Sequence, residues 1–157
     1  MQQRAFDFGD MKSEAAPKLP FADYAFPSGK GNGLVLVGEA PGAEEARLGK
    51  PFVGRSGQLL DKMLEQAGIA RAETLIANVF RFQPPGNKVD FFFSSRRAAT
   101  EQNFALAEEY GKFGSAFCRA AYVSEINHLR DVLAREKPIV VMALGRTPFW
   151  ALTGENG

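Results

Sequence analysis

A chain of 157 residues, 45% apolar and 24% charged, has the length and balance of one globular domain with a core of its own. Its 19 basic and 18 acidic residues leave a formal charge of +1, which excludes a chain-wide basic footprint; a grip on nucleic acid must come from a local groove. The single cysteine, Cys118, excludes an intrachain disulfide and any cluster held by several thiolates of this chain, and is expected to be a buried thiol.

Residues 1–33 mix Pro, Gly and Lys with scattered rings (Phe6, Phe8, Phe21, Tyr24, Phe26) and show no period. They read as an extended arm packed on the domain through those rings, with a flexible turn at 28–33. No apolar run suits a signal peptide or a membrane span, so the expected location is cytoplasmic, with no membrane partner.

The domain is read over 34–157. Residues 34–37 form a short apolar run between glycines, suited to a strand buried on both faces. Residues 58–67 are helical, with Leu59, Leu60, Met63, Leu64 and Ala67 in one stripe and a glycine stop at Gly68-Ile69. Residues 75–79 are a second strand. Pro84-Pro-Gly-Asn87 then opens an insertion at about 89–123, irregular except for a possible helix over 98–110. Ser124 is expected to cap a helix carrying Ile126, Leu129, Val132 and Leu133, ended by Pro138. Residues 139–143 read as a third buried strand. Gly145-Arg-Thr-Pro148 turns into a last helix, with Thr147 as N-cap and Pro148 at the first helical position.

Strands alternating with helices imply an α/β fold, three-layer αβα with a central parallel sheet. Ligands of such sheets sit beyond the carboxyl ends of the strands, so the loops leaving Gly38, Asn78 and Gly145 should converge on one site.

In the first loop, Gly38-Glu-Ala-Pro-Gly42, three carboxylates (Glu39, Glu44, Glu45) would repel a phosphate unless a metal intervened. They suit positioning a water or stabilising a developing cation; alternatively, Glu44 and Glu45 merely begin a solvated helical turn. Phe52, between prolines and glycines, is either a stacking platform or a plug beneath its loop. Asn78 must find partners for an amide donor and an acceptor, which the polar edge of a ligand or a neighbouring backbone could offer.

Gly38-Glu-Ala-Pro-Gly-Ala-Glu-Glu45 together with Gly49-Lys-Pro-Phe-Val-Gly-Arg-Ser-Gly-Gln-Leu-Leu60 closely resembles the first signature of the family-4 uracil-DNA glycosylases. Asn78-Val-Phe-Arg-Phe-Gln-Pro-Pro-Gly-Asn87 is similar to that family's next block, and Ala143-Leu-Gly-Arg-Thr147 to the one after. The resemblance implies that Glu39 lies beside the catalytic water and that Glu45 polarises it or stabilises the sugar cation. It implies that Phe52 stacks on the extruded uracil and Asn78 reads its edge, with Ala40, Pro41 and Gly42 completing the substrate loop. Arg55 and Ser56 are candidates for the DNA backbone. Lys88, Arg96, Arg97, Lys112 and Arg119 of the insertion are either solvated loop charge or a phosphate grip, with Phe91, Phe92 and Phe93 as a wedge or stacking surface.

The sequence departs from that family twice. Its iron–sulfur cluster needs four cysteines, and here Phe82 stands where the third would fall. No cluster and no other cofactor or metal is expected, with aromatic residues filling that volume. The family's His-Pro-Ser loop belongs downstream of the 143–147 block, whereas this chain's one histidine, His128, sits beside the apolar face of a helix as a surface or capping residue. Either the chain is truncated or it works without that histidine. A sheet lacking its last strand would expose an edge that something must cover.

The leading expectation is a monofunctional DNA repair glycosylase, monomeric, hydrolysing the N-glycosidic bond of uracil in DNA after flipping the base into a pocket. The alternative is a catalytically inactive or truncated nucleic-acid-binding relative. Third is a metal-dependent hydrolase with Glu39, Glu44 and Glu45 as ligands.

Overall fold

The computed structural model describes residues 18–157. The expectations for Phe6 and Phe8 therefore lie outside the described residues. The main sheet has three parallel strands, β1 (Leu34–Gly38), β2 (Leu75–Asn78) and β6 (Val140–Ala143), in the order β2-β1-β6. Register runs from Val35 opposite Leu75 to Gly38 opposite Asn78, and from Leu34 opposite Val140 to Val37 opposite Ala143. The chain leaves β1 to build β2 on one side, then crosses to build β6 on the other, so β1 is the switch point.

Period-two alternation assigns each strand residue to a layer. Val35, Val37, Leu75 and Ala77 enter the larger core with Phe80, Ile126, Leu129 and Trp150. Leu36 and Ile76 point the other way, against Leu60 and Leu64 of α2 (Arg55–Gln66). On the larger side lie α4 (Val123–Glu136), with Ile126, Leu129 and Val132 buried, and α5 (Arg146–Thr153). This is the expected αβα layering with a central parallel sheet. A short helix, α1 (Ala43–Leu48), follows the first loop.

The insertion is more ordered than its sequence suggested. It forms a three-stranded antiparallel sheet of β3 (Phe93–Ser94), β4 (Leu106–Phe113) and β5 (Ala116–Arg119), ordered β3-β5-β4. The helix expected over 98–110 is corrected: α3 spans only Arg96–Gln102, capped by Ser95 Oγ accepting from Ala98 N–H, and stops at Asn103 with φ +55°. Residues 106–110 are strand because pairing with β5 outweighs the helical leaning of Ala107-Glu-Glu. Nor is the Phe triplet a wedge. Phe92 and Phe93 are core residues, Phe92 stacked on Phe80 with centroids 4.0 Å apart, and Phe91 packs edge-on against Phe92.

Two helix starts are corrected. α4 begins at Val123, with Tyr122 rather than Ser124 at the cap, and α5 begins at Arg146 after Gly145, so Thr147 is inside the first turn and Pro148 one residue further in. The third strand is not buried either. Among the described residues β6 pairs with β1 on one side alone, and Ile139 (84% exposed), Val140, Val141 and Met142 face solvent. Half the stripe of α2 shares that exposure, at Leu59 and Met63.

The described part of the arm is extended but integrated. Ala25 bridges to Ile76 and Phe21 to Phe82, while Ala22 and Tyr24 are buried. No helix among the described residues is long and apolar enough to cross a membrane.

Candidate active site

The carboxyl ends of β1, β2 and β6 surround a cavity of about 180 Å³ lined by Gly38, Glu39, Ala40, Glu45, Phe52, Ser56, Asn78 and Leu144. That is below the roughly 300 Å³ where drug-sized sites begin, so it suits one small ring rather than a nucleotide. Its position, outside the strand ends at the switch point, is where open α/β sheets place ligands. The loops leaving Gly38 and Asn78 converge there as expected. From the third loop Leu144 lines the cavity, and Thr147 acts from behind it.

Backbone geometry forces the ring and amide together. A Cβ on Gly38 would stand 2.4 Å from Phe52 Cζ and 2.5 Å from Asn78 Oδ1, so only glycine lets both side chains meet over the end of β1. Asn78 is 3% exposed, and no hydrogen bond among the described residues occupies its side-chain amide. A nearly buried amide facing a cavity is a demand for a polar ligand edge.

Each carboxylate of the first loop has a distinct setting. Glu39 is solvent-accessible, and one of its oxygens accepts a hydrogen bond of 2.5 Å from the hydroxyl of Thr147, which is fully buried. Glu45 is buried in α1 and accepts from Gly54 N–H at 3.1 Å, tying α1 to the start of α2 while still lining the cavity. Glu44 turns outward to Arg47 at 2.8 Å, and that guanidinium holds its carboxyl below the usual carboxylate range. The three carboxylates do not converge, and among the described residues no group of three His, Cys, Asp or Glu is placed to share a metal.

Of the remaining candidates, Pro41 and Gly42 shape the loop without lining the cavity, and Pro41 is buried. Arg55 and Ser56 open α2, both exposed, and Ser56 lines the cavity while Arg55 does not. Lys88 is exposed after the Pro84-Pro-Gly-Asn87 turn. Arg96 and Arg97 are exposed but engaged with acids, Arg96 with Glu108 and Arg97 with Glu101. Arg119 sits over the rings of Phe91, Phe104 and Tyr122. His128 packs on Tyr24, centroids 5.2 Å apart, away from the cavity lining. Sequence reasoning did not assign Thr147 to the site and overlooked Arg71, whose guanidinium binds the Phe52 loop. Neither has a local signal, because each acts on a residue distant in sequence.

The residues do not fit an iron–sulfur cluster. Phe82 packs on Phe21 with centroids 5.4 Å apart, and the flanking Arg81 is held by Glu125 at 2.9 Å and stacks over Phe21 and Tyr24. The lone Cys118 is buried on β5, in the small sheet.

A parallel sheet with a small cavity, a free amide and a held carboxylate at its switch point defines an open α/β domain with one candidate site at its strand ends, and this chain belongs to the uracil DNA glycosylase superfamily, whose family model matches residues 27–156. Among curated proteins, the Type-4 uracil-DNA glycosylase of Thermotoga maritima is 49% identical over 55 residues, covering 35% of this chain and 29% of that protein. Those of Pyrobaculum aerophilum (48% over 56 residues, 36% and 29%) and Archaeoglobus fulgidus (47% over 55 residues, 35% and 28%) are similar to the same degree. The matched stretch thus spans under a third of each of these relatives.

Proposed function

We propose that this chain hydrolyses the N-glycosidic bond of uracil in DNA. The observation that carries the reading is the free amide of Asn78 at 3% exposure, set with the Phe52 ring at one small cavity. Base excision requires flipping the nucleotide so that its base is stacked on a ring and hydrogen-bonded along its edge. Phe52 provides the face and Asn78 the complementary donor and acceptor. Bond cleavage develops positive charge on the sugar; in this reading the Glu39 carboxylate, anchored by Thr147 at the cavity, favours that charge and orients an attacking water. Glu45 braces the loop and adds a second negative group at the cavity. Arg55, Ser56 and Lys88 are the candidates for the DNA backbone. Arg96 and Arg97 contribute less while paired with Glu108 and Glu101.

The chain is read as working without an iron–sulfur cluster, which iron analysis of the purified protein tests. Iron at one cluster per chain would overturn it. A second reading is a protein that keeps the pocket and binds DNA without excision.

The deciding experiment is base release from uracil-containing single- and double-stranded oligonucleotides in EDTA, after circular dichroism establishes folding. Release that falls by about a hundredfold or more in Asn78→Ala supports the glycosylase. Binding without release from the folded chain selects the second reading.

A further inference from the structure

Phe52 has φ +53°, a left-handed backbone that a bulky side chain adopts only where its surroundings impose it. Two groups impose it here. On one side the backbone of Gly57 lies so close that a Cβ there would stand 2.0 Å from the Phe52 carbonyl oxygen. On the other, Arg71 in the 3-10 turn Arg71–Glu73 before β2 donates to the Pro51 carbonyl at 2.9 Å and to the Phe52 carbonyl at 2.8 Å. Its other terminal nitrogen donates to Asp61 of α2, so one guanidinium ties the loop to the helix that follows it. The Asp61 carboxylate is half exposed and adds little by itself; the charge-assisted bonds to two adjacent carbonyls carry the geometry. Arg71 does not line the cavity.

We propose that Arg71 is the positioning residue for the Phe52 ring: it fixes the backbone turn that sets the ring over Gly38 and beside Asn78, and so governs how tightly a flat base is held. This rests on the glycosylase reading for the identity of the base. Stacking acts on substrate and transition state alike, so a loosened ring should weaken binding more than chemistry. A lysine would supply charge without the planar fork that spans three acceptors.

The test compares Arg71→Ala and Arg71→Lys with the wild-type chain by urea unfolding, by hydrogen exchange over residues 50–56, and by base release from a uracil-containing single-stranded oligonucleotide. Both variants are expected to fold and to exchange faster in that segment alone. KM should rise roughly tenfold to a hundredfold while kcat changes less than about threefold. Adding Arg71→Ala to Phe52→Ala should cost nothing further. A fall in kcat at unchanged KM, or full additivity with Phe52→Ala, would overturn the positioning role and leave the glycosylase reading standing. Loss of folding in both variants would overturn it as well, making Arg71 a staple of the whole fold. If the wild type releases no base, the glycosylase reading fails and the role in base binding fails with it. Exchange over 50–56 then decides whether the clamp itself exists, and unchanged exchange refutes the clamp in either case.

Discussion

The hydroxyl of Thr147 donates to a carboxylate oxygen of Glu39 at 2.5 Å, joining residues 108 positions apart in sequence. Thr147 is fully buried in the first turn of α5, so the bond fixes a solvent-accessible carboxylate from behind. Thr147→Val keeps the shape and removes the donor. In a working glycosylase kcat should fall about tenfold to a hundredfold, Thr147→Ser should recover most of it, and stability should drop by about 1–3 kcal/mol. Base-release kinetics and urea unfolding read the two effects separately, and wild-type kcat in Thr147→Val would remove the positioning role.

Gly38→Ala tests the closeness of ring and amide. The added methyl would stand 2.4 Å from Phe52 and 2.5 Å from Asn78, and both neighbours are side-chain atoms that can swing aside. The chain should therefore still fold, with circular dichroism unchanged, while base release falls by about a hundredfold. Retained activity would mean that Phe52 and Asn78 need not meet over Gly38.

Glu125 anchors the arm through Arg81. Its buried carboxylate accepts from the Arg81 backbone N–H and from two guanidinium nitrogens, which raises the pKa of the guanidinium further, and the Arg81 carbonyl accepts from Ala22 N–H. Glu125→Ala would leave Arg81 with Asp23, 3.6 Å away and half exposed. The expected loss is about 3–5 kcal/mol in urea unfolding, together with faster hydrogen exchange at Ala22. A change within about 0.5 kcal/mol would show the arm to be held by its rings and backbone bridges without help from Glu125.

Burial pushes the Cys118 thiol up to about 12 from its ordinary 9.0. A thiol kept protonated and enclosed should resist alkylation by iodoacetamide in the native state and react on unfolding. The sign of the linkage follows: the unfolded chain ionises above pH 9 while the folded one does not, so this stabilisation is complete below pH 9 and fades toward pH 12. Cys118→Ala should flatten that part of the stability–pH curve, and an unchanged curve would refute the assignment.

The parallel sheet, α2 and the pocket loops were legible because their signals are local: apolar runs between glycines, a helical stripe, and three motifs in order. The small antiparallel sheet was not. Its strand β4 carries Glu108, Glu109 and Gly111, and only pairing with β5 makes it extended. Thr147 looked like a helix cap because cap chemistry is local, whereas its acceptor lies at Glu39 on another strand's loop. Residues 139–143 looked buried because an apolar run announces burial without saying what covers it; among the described residues, β6 has β1 on one side and solvent on the other. The roles proposed for Glu39 and Asn78 rest on motif likeness, and geometry adds what likeness cannot, namely that Thr147 holds the Glu39 carboxylate while the Asn78 amide is left open to the cavity.

Trp150, the chain's one tryptophan, lies fully enclosed on α5 with its ring edge-to-face against Phe93 and Phe113, centroids 5.1 and 5.8 Å away. Those two rings belong to β3 and β4, and one turn earlier on the same helix sits Thr147. Intrinsic fluorescence is thus an unlabelled optical gauge of the seam between the small sheet and the helix that steadies Glu39. Native emission should be blue-shifted, and a red shift preceding the loss of helical circular dichroism would report the small sheet lifting away while the main sheet still stands.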